Sequence, residues 1–155
     1  MTRLPGQSVL ISSSQRAIRV PRKLIAELVP FVAAAEGMRL SQIDVAVVGR
    51  RQISALNRNW LGRGGATDVL SFDLSDADRR GLSAQIVVCG DVAAEQGRLR
   101  GWGARRELLL YVVHGLLHLM GYEDASIRGA AKMHAREEEL LDEFLEGRRR
   151  RRRRR

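Results

Sequence analysis

The sequence predicts an α+β fold in a single domain, with a small mixed β-sheet packed against a long buried helix and further helices. Before residue 90, short segments with strand-like alternation are interspersed with segments of helical periodicity, and after it the patterns are helical. The segment 108–120 is almost wholly apolar, which is typical of a buried helix. A chain of 155 residues can build one core, whereas two domains would each be marginal.

The first half alternates between strand and helix. Gln7 to Ser13 is predicted to form a strand, and Pro21 begins a helix that bends at Pro30 and ends at Gly37. The predicted elements that follow are a strand through Ile43, Val45 and Val47, a helix through Ile53, Leu56 and Trp60, a glycine-rich turn over 62–65, and strands over 67–72 and 85–89 separated by the polar loop 73–83.

The second half is predicted to be helical. One helix starts with Asp91 as its cap, and a second runs from Ala104 to about Met120, where Gly121 closes it in a left-handed conformation. The last helix begins near Ser126. Its apolar stripe indicates packing against the core and consists of Ile127, Ala130, Met133, Leu140, Leu141 and Phe144.

The net charge of +9 comes from one end of the chain. Arg148 to Arg155 are eight consecutive arginines, and removing them from the 27 basic residues leaves 19 against 18 acidic ones. We therefore predict a domain over 1–147 and a disordered tail over 148–155, because like charges repel one another. Such a tail binds polyanions without sequence preference, and the alternative is a low-complexity terminus with incidental affinity.

Cysteine content and hydropathy indicate the cellular setting. The single cysteine, Cys89, excludes an internal disulfide and lies in an apolar run, which predicts a buried structural thiol. The most apolar segment, 108–120, is too short to cross a bilayer. The sequence therefore predicts a cytoplasmic protein with no membrane partner.

Two histidines on the apolar helix carry the candidate chemistry. His114 and His118 are four residues apart, so they lie one turn above another and can bind one ion at about 2.0–2.1 Å from each nitrogen. The alternative is that both rings are buried polar groups with hydrogen-bond partners of their own. The glycine turn that follows brings Glu123 and Asp124 back to the same end, which offers a carboxylate as third ligand and leaves a fourth position for water.

The segment from His114 to Asp124 reads HGLLHLMGYED, and it resembles the HGxLHLxGYDH signature of the YbeY family of bacterial endoribonucleases, the rRNA maturation factors. The resemblance extends over roughly residues 40–147. Its other matches are Leu56-Asn57, the TDVLSF segment over 67–72, Glu95-Gln96, and Met133 with Glu137 in the last helix.

The resemblance implies a zinc-dependent endoribonuclease that cleaves single-stranded RNA, processes the 3′ end of 16S rRNA and serves ribosome quality control. RNA, single-stranded or ribosomal, is the implied partner, with ribosomal proteins as further candidates and the oligomeric state open. His114 and His118 match the family's ligands, and Asp124 replaces its third histidine. One zinc per chain is expected, although an aspartate ligand also suits a harder ion such as Mn²⁺. Glu123 and His134 are alternative third ligands.

Other positions depart from the family pattern. Leu61 stands where the family carries an arginine, so we predict that Arg63 takes over the catalytic role of stabilising charge on the phosphate. Asp68 and Ser71 are predicted to bind substrate, and Asp68 has the alternative role of capping a turn.

Two other functions remain open from the sequence. One is a metal-dependent peptidase or other hydrolase, although Gly115 occupies the position at which zinc peptidases of the HExxH type carry their glutamate base. The other is a non-catalytic ribosome-binding or RNA-binding module with a degenerate site, in which Asp124, Leu61 and Gln85 record lost function.

Overall fold

The computed structural model describes residues 8–78 and 80–155. These residues form a four-stranded sheet and five helices, joined by loops. The predicted α+β fold is confirmed, and Gln7, where we placed the first strand's start, lies outside the described residues. The elements are β1 (Ser8–Ser13), α1 (Arg22–Ala35), β2 (Leu40–Val48), α2 (Arg50–Leu61), β3 (Val69–Asp73), β4 (Leu82–Cys89), α3 (Gly90–Arg100), α4 (Ala104–Leu119) and α5 (Ile127–Arg153).

The sheet is mixed, with strand order β1-β2-β4-β3. β1 and β4 both run parallel to β2, whereas β3 runs antiparallel to β4 and forms an edge. The end of β4, from Ile86 to Cys89, is buried at every residue, which is why it reads as a continuous apolar run rather than an alternating one. Cys89 is buried in this run, as predicted.

α4 lies at the centre of the core, between the sheet and the helices α1, α3 and α5. Gly115 permits its close approach to the sheet, because a Cβ atom there would lie 2.9 Å from both Ile86 Cγ2 and Ser71 Oγ. The Ser71 hydroxyl donates a hydrogen bond to the Gly115 carbonyl at 3.2 Å. This bond and the close contact fix the position of α4 along β3.

The first turn of α4 holds a buried carboxylate. Glu107 is fully buried, and its Oε1 accepts hydrogen bonds from Trp102 Nε1 at 2.7 Å and from Arg100 Nη1 at 2.9 Å. The helix dipole favours a carboxylate in this position, and Arg100 and Trp102 satisfy its Oε1, whereas Oε2 is buried with no hydrogen-bond partner among the described residues. Glu107 therefore joins the α3–α4 connection to the start of the central helix.

Asp91 caps a different helix from the one predicted. α3 begins at Gly90 and has no side-chain cap, and Asp91 lies within its first turn. The Asp91 carboxylate instead accepts a hydrogen bond from the backbone N–H of Arg50, the first residue of α2, at 2.7 Å. The contact crosses between elements distant in sequence, so local spacing does not reveal it.

The termini of the last two helices mostly follow the sequence. Gly121 ends α4 with a φ of 102°, and the Ser126 hydroxyl accepts a hydrogen bond from Gly129 N–H at the start of α5, as predicted. Ile127 is wrongly placed in the buried stripe, since it is 93% exposed. It lies in the first turn of α5, before the part of the helix that reaches the core at Met133.

The arginine segment differs from the prediction of a disordered tail over 148–155, because α5 continues through Arg153. Arginine is a good helix former, and extending an existing helix requires no new nucleus. Arg148 pairs with Glu27 on α1, and Arg150 pairs with Glu146 one turn earlier at 2.8 Å. These ion pairs offset part of the mutual repulsion.

Among the described residues, no helix is both long and apolar enough to cross a membrane.

Candidate metal centre

The last two turns of α4 present His114 and His118 on one face. Their rings lie nearly parallel, with an interplanar angle of 7° and ring centroids 6.4 Å apart. His114 is partly buried, whereas His118 is exposed near the end of the helix. The four-residue spacing thus places both imidazoles side by side, as predicted.

Glu137 of α5 orients the inner histidine. His114 Nδ1 bonds directly to Glu137 Oε1, and Glu137 is 5% exposed. This leaves His114 Nε2 on the other side of the ring, where it lies 3.7 Å from Asp124 Oδ2. Burial lowers the pKa of His114, but the bond to Glu137 and the charges of Glu137, Asp68 and Asp124 outweigh burial and raise it.

His134, the alternative third ligand, lies beside Glu137 rather than beside His114 Nε2. Its Nδ1 is 3.5 Å from Glu137 Oε2, and its Nε2 is 3.4 Å from Glu138 Oε1. The Glu137 carboxylate therefore contacts both imidazoles, one through each oxygen. Asp124 is better placed than His134 to share an ion with His114.

The donor set has the chemistry of a zinc or manganese site, namely two imidazole nitrogens and one carboxylate oxygen. A ligating histidine usually donates its second N–H to a carboxylate, and Glu137 supplies that group to His114. Among the residues described, no three His, Cys, Asp or Glu side chains stand close enough to hold an ion. His118 and Asp124 are both exposed, with Asp124 Oδ2 3.7 Å from His114 Nε2 and the His118 ring centroid 6.4 Å from that of His114.

The other predicted site residues occupy different surroundings. Asp68 precedes β3, where its Oδ1 accepts a hydrogen bond from Val69 N–H at 2.8 Å, and its charge acts on His114. Ser71 lies beside α4, with its hydroxyl bonded to the Gly115 carbonyl. Arg63 is exposed on the loop after α2, and within 8–78 and 80–155 the ion pairs of His114 are with Glu137 and Asp124 rather than with Arg63.

Comparison with known proteins identifies the family. The model described as "Endoribonuclease YbeY" matches residues 10–145. This chain belongs to the YbeY endoribonuclease family. The predicted resemblance is therefore confirmed, and because endoribonucleases are hydrolases, the prediction of a hydrolase is confirmed with it.

Individual YbeY relatives match most of the chain. The endoribonuclease YbeY of Anaeromyxobacter sp. (strain Fw109-5) is 39% identical over 132 residues, which is 84% of this chain and 68% of that protein. That of Bacillus licheniformis is 30% identical over 151 residues, 88% of this chain and 96% of the relative. A protein from Thermotoga maritima, solved in solution, has a TM-score of 0.60 at 26% identity, with 91% of each chain covered.

Two YbeY motif residues have supporting roles that the sequence did not reveal. Glu137 matched the family's last helix, but its bond to His114 was not predicted; a carboxylate four residues after buried Met133 is the signal that such a partner exists. Asn57 is 5% exposed, and its side-chain amide donates to the Gly65 carbonyl at 3.2 Å. Asn57 thus holds the glycine-rich loop that carries Arg63.

Proposed function

We propose that this YbeY chain is a metal-dependent endoribonuclease that cleaves single-stranded RNA. The observation that carries the proposal is the joint placement of His114 Nε2 against Asp124 and of His114 Nδ1 against buried Glu137. That arrangement leaves one imidazole nitrogen free for an ion and gives the other a fixed partner. Family membership supplies the substrate class, since the relatives are endoribonucleases by name.

The ligands we propose are His114, His118 and Asp124, with zinc as the expected ion. When bound, a divalent metal supplies Lewis acidity and an activated water at neutral pH. Glu137 keeps the proton on His114 Nδ1, so that Nε2 presents its lone pair. Gly115 leaves the helix without the glutamate base of HExxH peptidases, which counts against peptide hydrolysis.

Residues near the metal centre are proposed to contact the substrate. Asp68 lies close enough for its charge to act on His114, and we propose that it accepts a hydrogen bond from a ribose hydroxyl. Arg63 neutralises charge that develops on the phosphate, and the exposed loop on which it lies must bring it to the bound strand. Ser71 acts mainly by holding α4, since its hydroxyl is already engaged.

The biological role we propose is rRNA maturation in the cytoplasm, including processing of the 3′ end of 16S rRNA and ribosome quality control, with ribosomal proteins as partners. Family membership supports this role. Accumulation of 16S precursor in cells that lack the gene, reversed by wild type and not by His114→Ala, is the expected result. Normal precursor processing in the deletion strain would contradict it.

Metal content tests the proposed site. Protein purified without a polyhistidine tag is expected to hold about one zinc or manganese per chain. His118→Ala and Asp124→Ala should lose the ion and the cleavage of single-stranded RNA, whereas His134→Ala should keep both, because His134 lies against the Glu137 and Glu138 carboxylates rather than beside His114 Nε2. If His134→Ala loses the metal and Asp124→Ala retains it, the third ligand is His134 rather than Asp124. A wild type that cannot be loaded with metal would refute the proposal.

A further inference from the structure

A basic groove lies at the opposite end of α4 from the candidate metal centre. It encloses about 430 Å³ between the first turns of α1 and α4 and the last turns of α5. Its basic lining residues are Arg22 and Lys23 of α1, Arg105 and Arg106 of α4, and Arg148, Arg149 and Arg152 of α5. The arginine segment is therefore one wall of an ordered groove, to which the two other helices also contribute.

The positive charge of the basic groove is only partly compensated. In the described part of the chain, two acidic residues pair with its lining: Asp142 with Arg106 at 2.9 Å, and Glu27 with Arg148. The pKa of Arg148 is lowered by burial and by the charges of Arg152 and Arg151. The cations thus repel one another, and an anion that enters the groove relieves this repulsion.

The composition of the basic groove favours phosphate as the ligand. Six of its seven basic residues are arginines, whose planar guanidinium groups bind phosphate oxygens in pairs. Cations from three helices surround a concave space, which suits a strand that passes between them better than a flat lipid surface. Pro21, Leu24 and Leu145 are partly exposed and give the groove an apolar surface on which sugar or base edges can lie.

We propose that the basic groove binds the phosphate backbone of the RNA substrate, as a contact site separate from the metal centre. The identity of the ligand rests on the proposed ribonuclease function. Arg105 and His118 lie on the same helix, and a rise of 1.5 Å per residue separates them by about 20 Å. One RNA strand that reaches both sites is held at two points, so longer substrates bind more tightly than short ones.

Salt dependence of binding tests the groove. Lys23→Ala, Arg105→Ala and Arg149→Ala are combined in one variant, which removes one exposed cation from each of the three helices. The matched control removes three exposed arginines elsewhere, in Arg16→Ala, Arg51→Ala and Arg98→Ala. Binding of a fluorescein-labelled oligouridylate is measured by anisotropy between about 50 and 200 mM salt, with EDTA present so that the RNA stays intact.

The groove variant is expected to reduce the slope of log affinity against log salt by about 2, since each phosphate contact with a single strand contributes about 0.7. The control should change the slope by less than half of that, and circular dichroism should show both variants folded. Equal slopes in the groove variant and the control would overturn the proposal. Binding to phosphatidylserine vesicles through the groove, without binding to RNA, would overturn it too.

The EDTA in the binding assay separates this proposal from the proposed ribonuclease function. Binding is measured without bound metal, so the salt dependence that the groove residues contribute does not depend on the metal centre. If the metal site proves wrong, the groove variant still loses salt-dependent affinity. If the groove proposal is wrong, cleavage of short single strands by wild type continues while the slopes of the groove variant and its control coincide.

Discussion

Replacing the carboxylate behind His114 tests whether the candidate metal centre is built as described. Glu137→Gln keeps the size of the side chain and an oxygen acceptor, but it removes the negative charge that bonds to His114 Nδ1. Partners of this kind typically contribute a factor of about 10–100 to metal affinity. We therefore expect Glu137→Gln to bind zinc about 10–100 times more weakly than wild type.

The effect on stability follows from mass action. At a free zinc concentration about 100 times the wild-type Kd, bound zinc adds about 2.7 kcal/mol to the free energy of unfolding. At the same zinc concentration, a tenfold weaker site adds about 1.4 kcal/mol and a hundredfold weaker site about 0.4 kcal/mol. For a domain of this size, 1 kcal/mol shifts Tm by about 2–4 °C, so the zinc-dependent rise in Tm should fall by about half or more in Glu137→Gln.

The assay is thermal unfolding with and without zinc, together with competition against a chromophoric chelator to obtain the Kd. Glu138→Gln is the matched control, because Glu138 is the neighbouring carboxylate and, among the described residues, its ion pair is with His134 and not with His114. It should retain the wild-type zinc affinity. A zinc-dependent rise in Tm that is unchanged in Glu137→Gln, or reduced equally in both variants, would refute the role assigned to Glu137.

Two further substitutions and one labelling experiment test packing, catalysis and burial. Gly115→Ala should lower the free energy of unfolding in urea by about 1–3 kcal/mol because its Cβ would lie 2.9 Å from side chains of the sheet, whereas Gly147→Ala, with open space around it, should not destabilise. Arg63→Ala should lower RNA turnover by about a hundredfold with little change in Tm, and unchanged turnover would remove Arg63 from the mechanism. Burial raises the pKa of Cys89, so iodoacetamide should label the native protein slowly at neutral pH and rapidly in urea; equal rates would show that the thiol is accessible.

Local patterns in the sequence predicted most of the fold. The alternation at Ile43, Val45 and Val47 lies within β2, and the apolar segment before Gly121 lies within the buried α4. These predictions succeeded because the pattern of apolar and polar residues along a short segment shows which side chains will be buried. The end of α5 was predicted wrongly because the repulsion between arginines outweighed, in that prediction, their helix propensity and their ion pairs with Glu146 and Glu27. Asp91 was assigned to the wrong helix because its partner, Arg50, is distant in sequence. Contacts of that kind have no local signal.

The candidate site, like the fold, was predicted where the information is local and missed where it depends on packing between elements. The spacing of His114 and His118 fixes their common face, so one turn of helix was enough to predict their placement. The bond from His114 to Glu137 depends on how α5 packs against α4, and sequence spacing says nothing about it. The catalytic role predicted for Arg63 rests on its short distance along the chain from the position of the family's arginine. A loop residue's direction cannot be read from such a distance.

Gly115 also limits how this fold can evolve. A glutamate at this position would complete the HExxH pattern of zinc peptidases, with His114 and His118 already in place. However, the same residue lies against Ile86 and Ser71, with no room for a Cβ atom. A single substitution would therefore push α4 away from β3 and β4 before it could supply a base. Acquisition of the peptidase motif in this chain would therefore need compensating changes at Ile86 and Ser71.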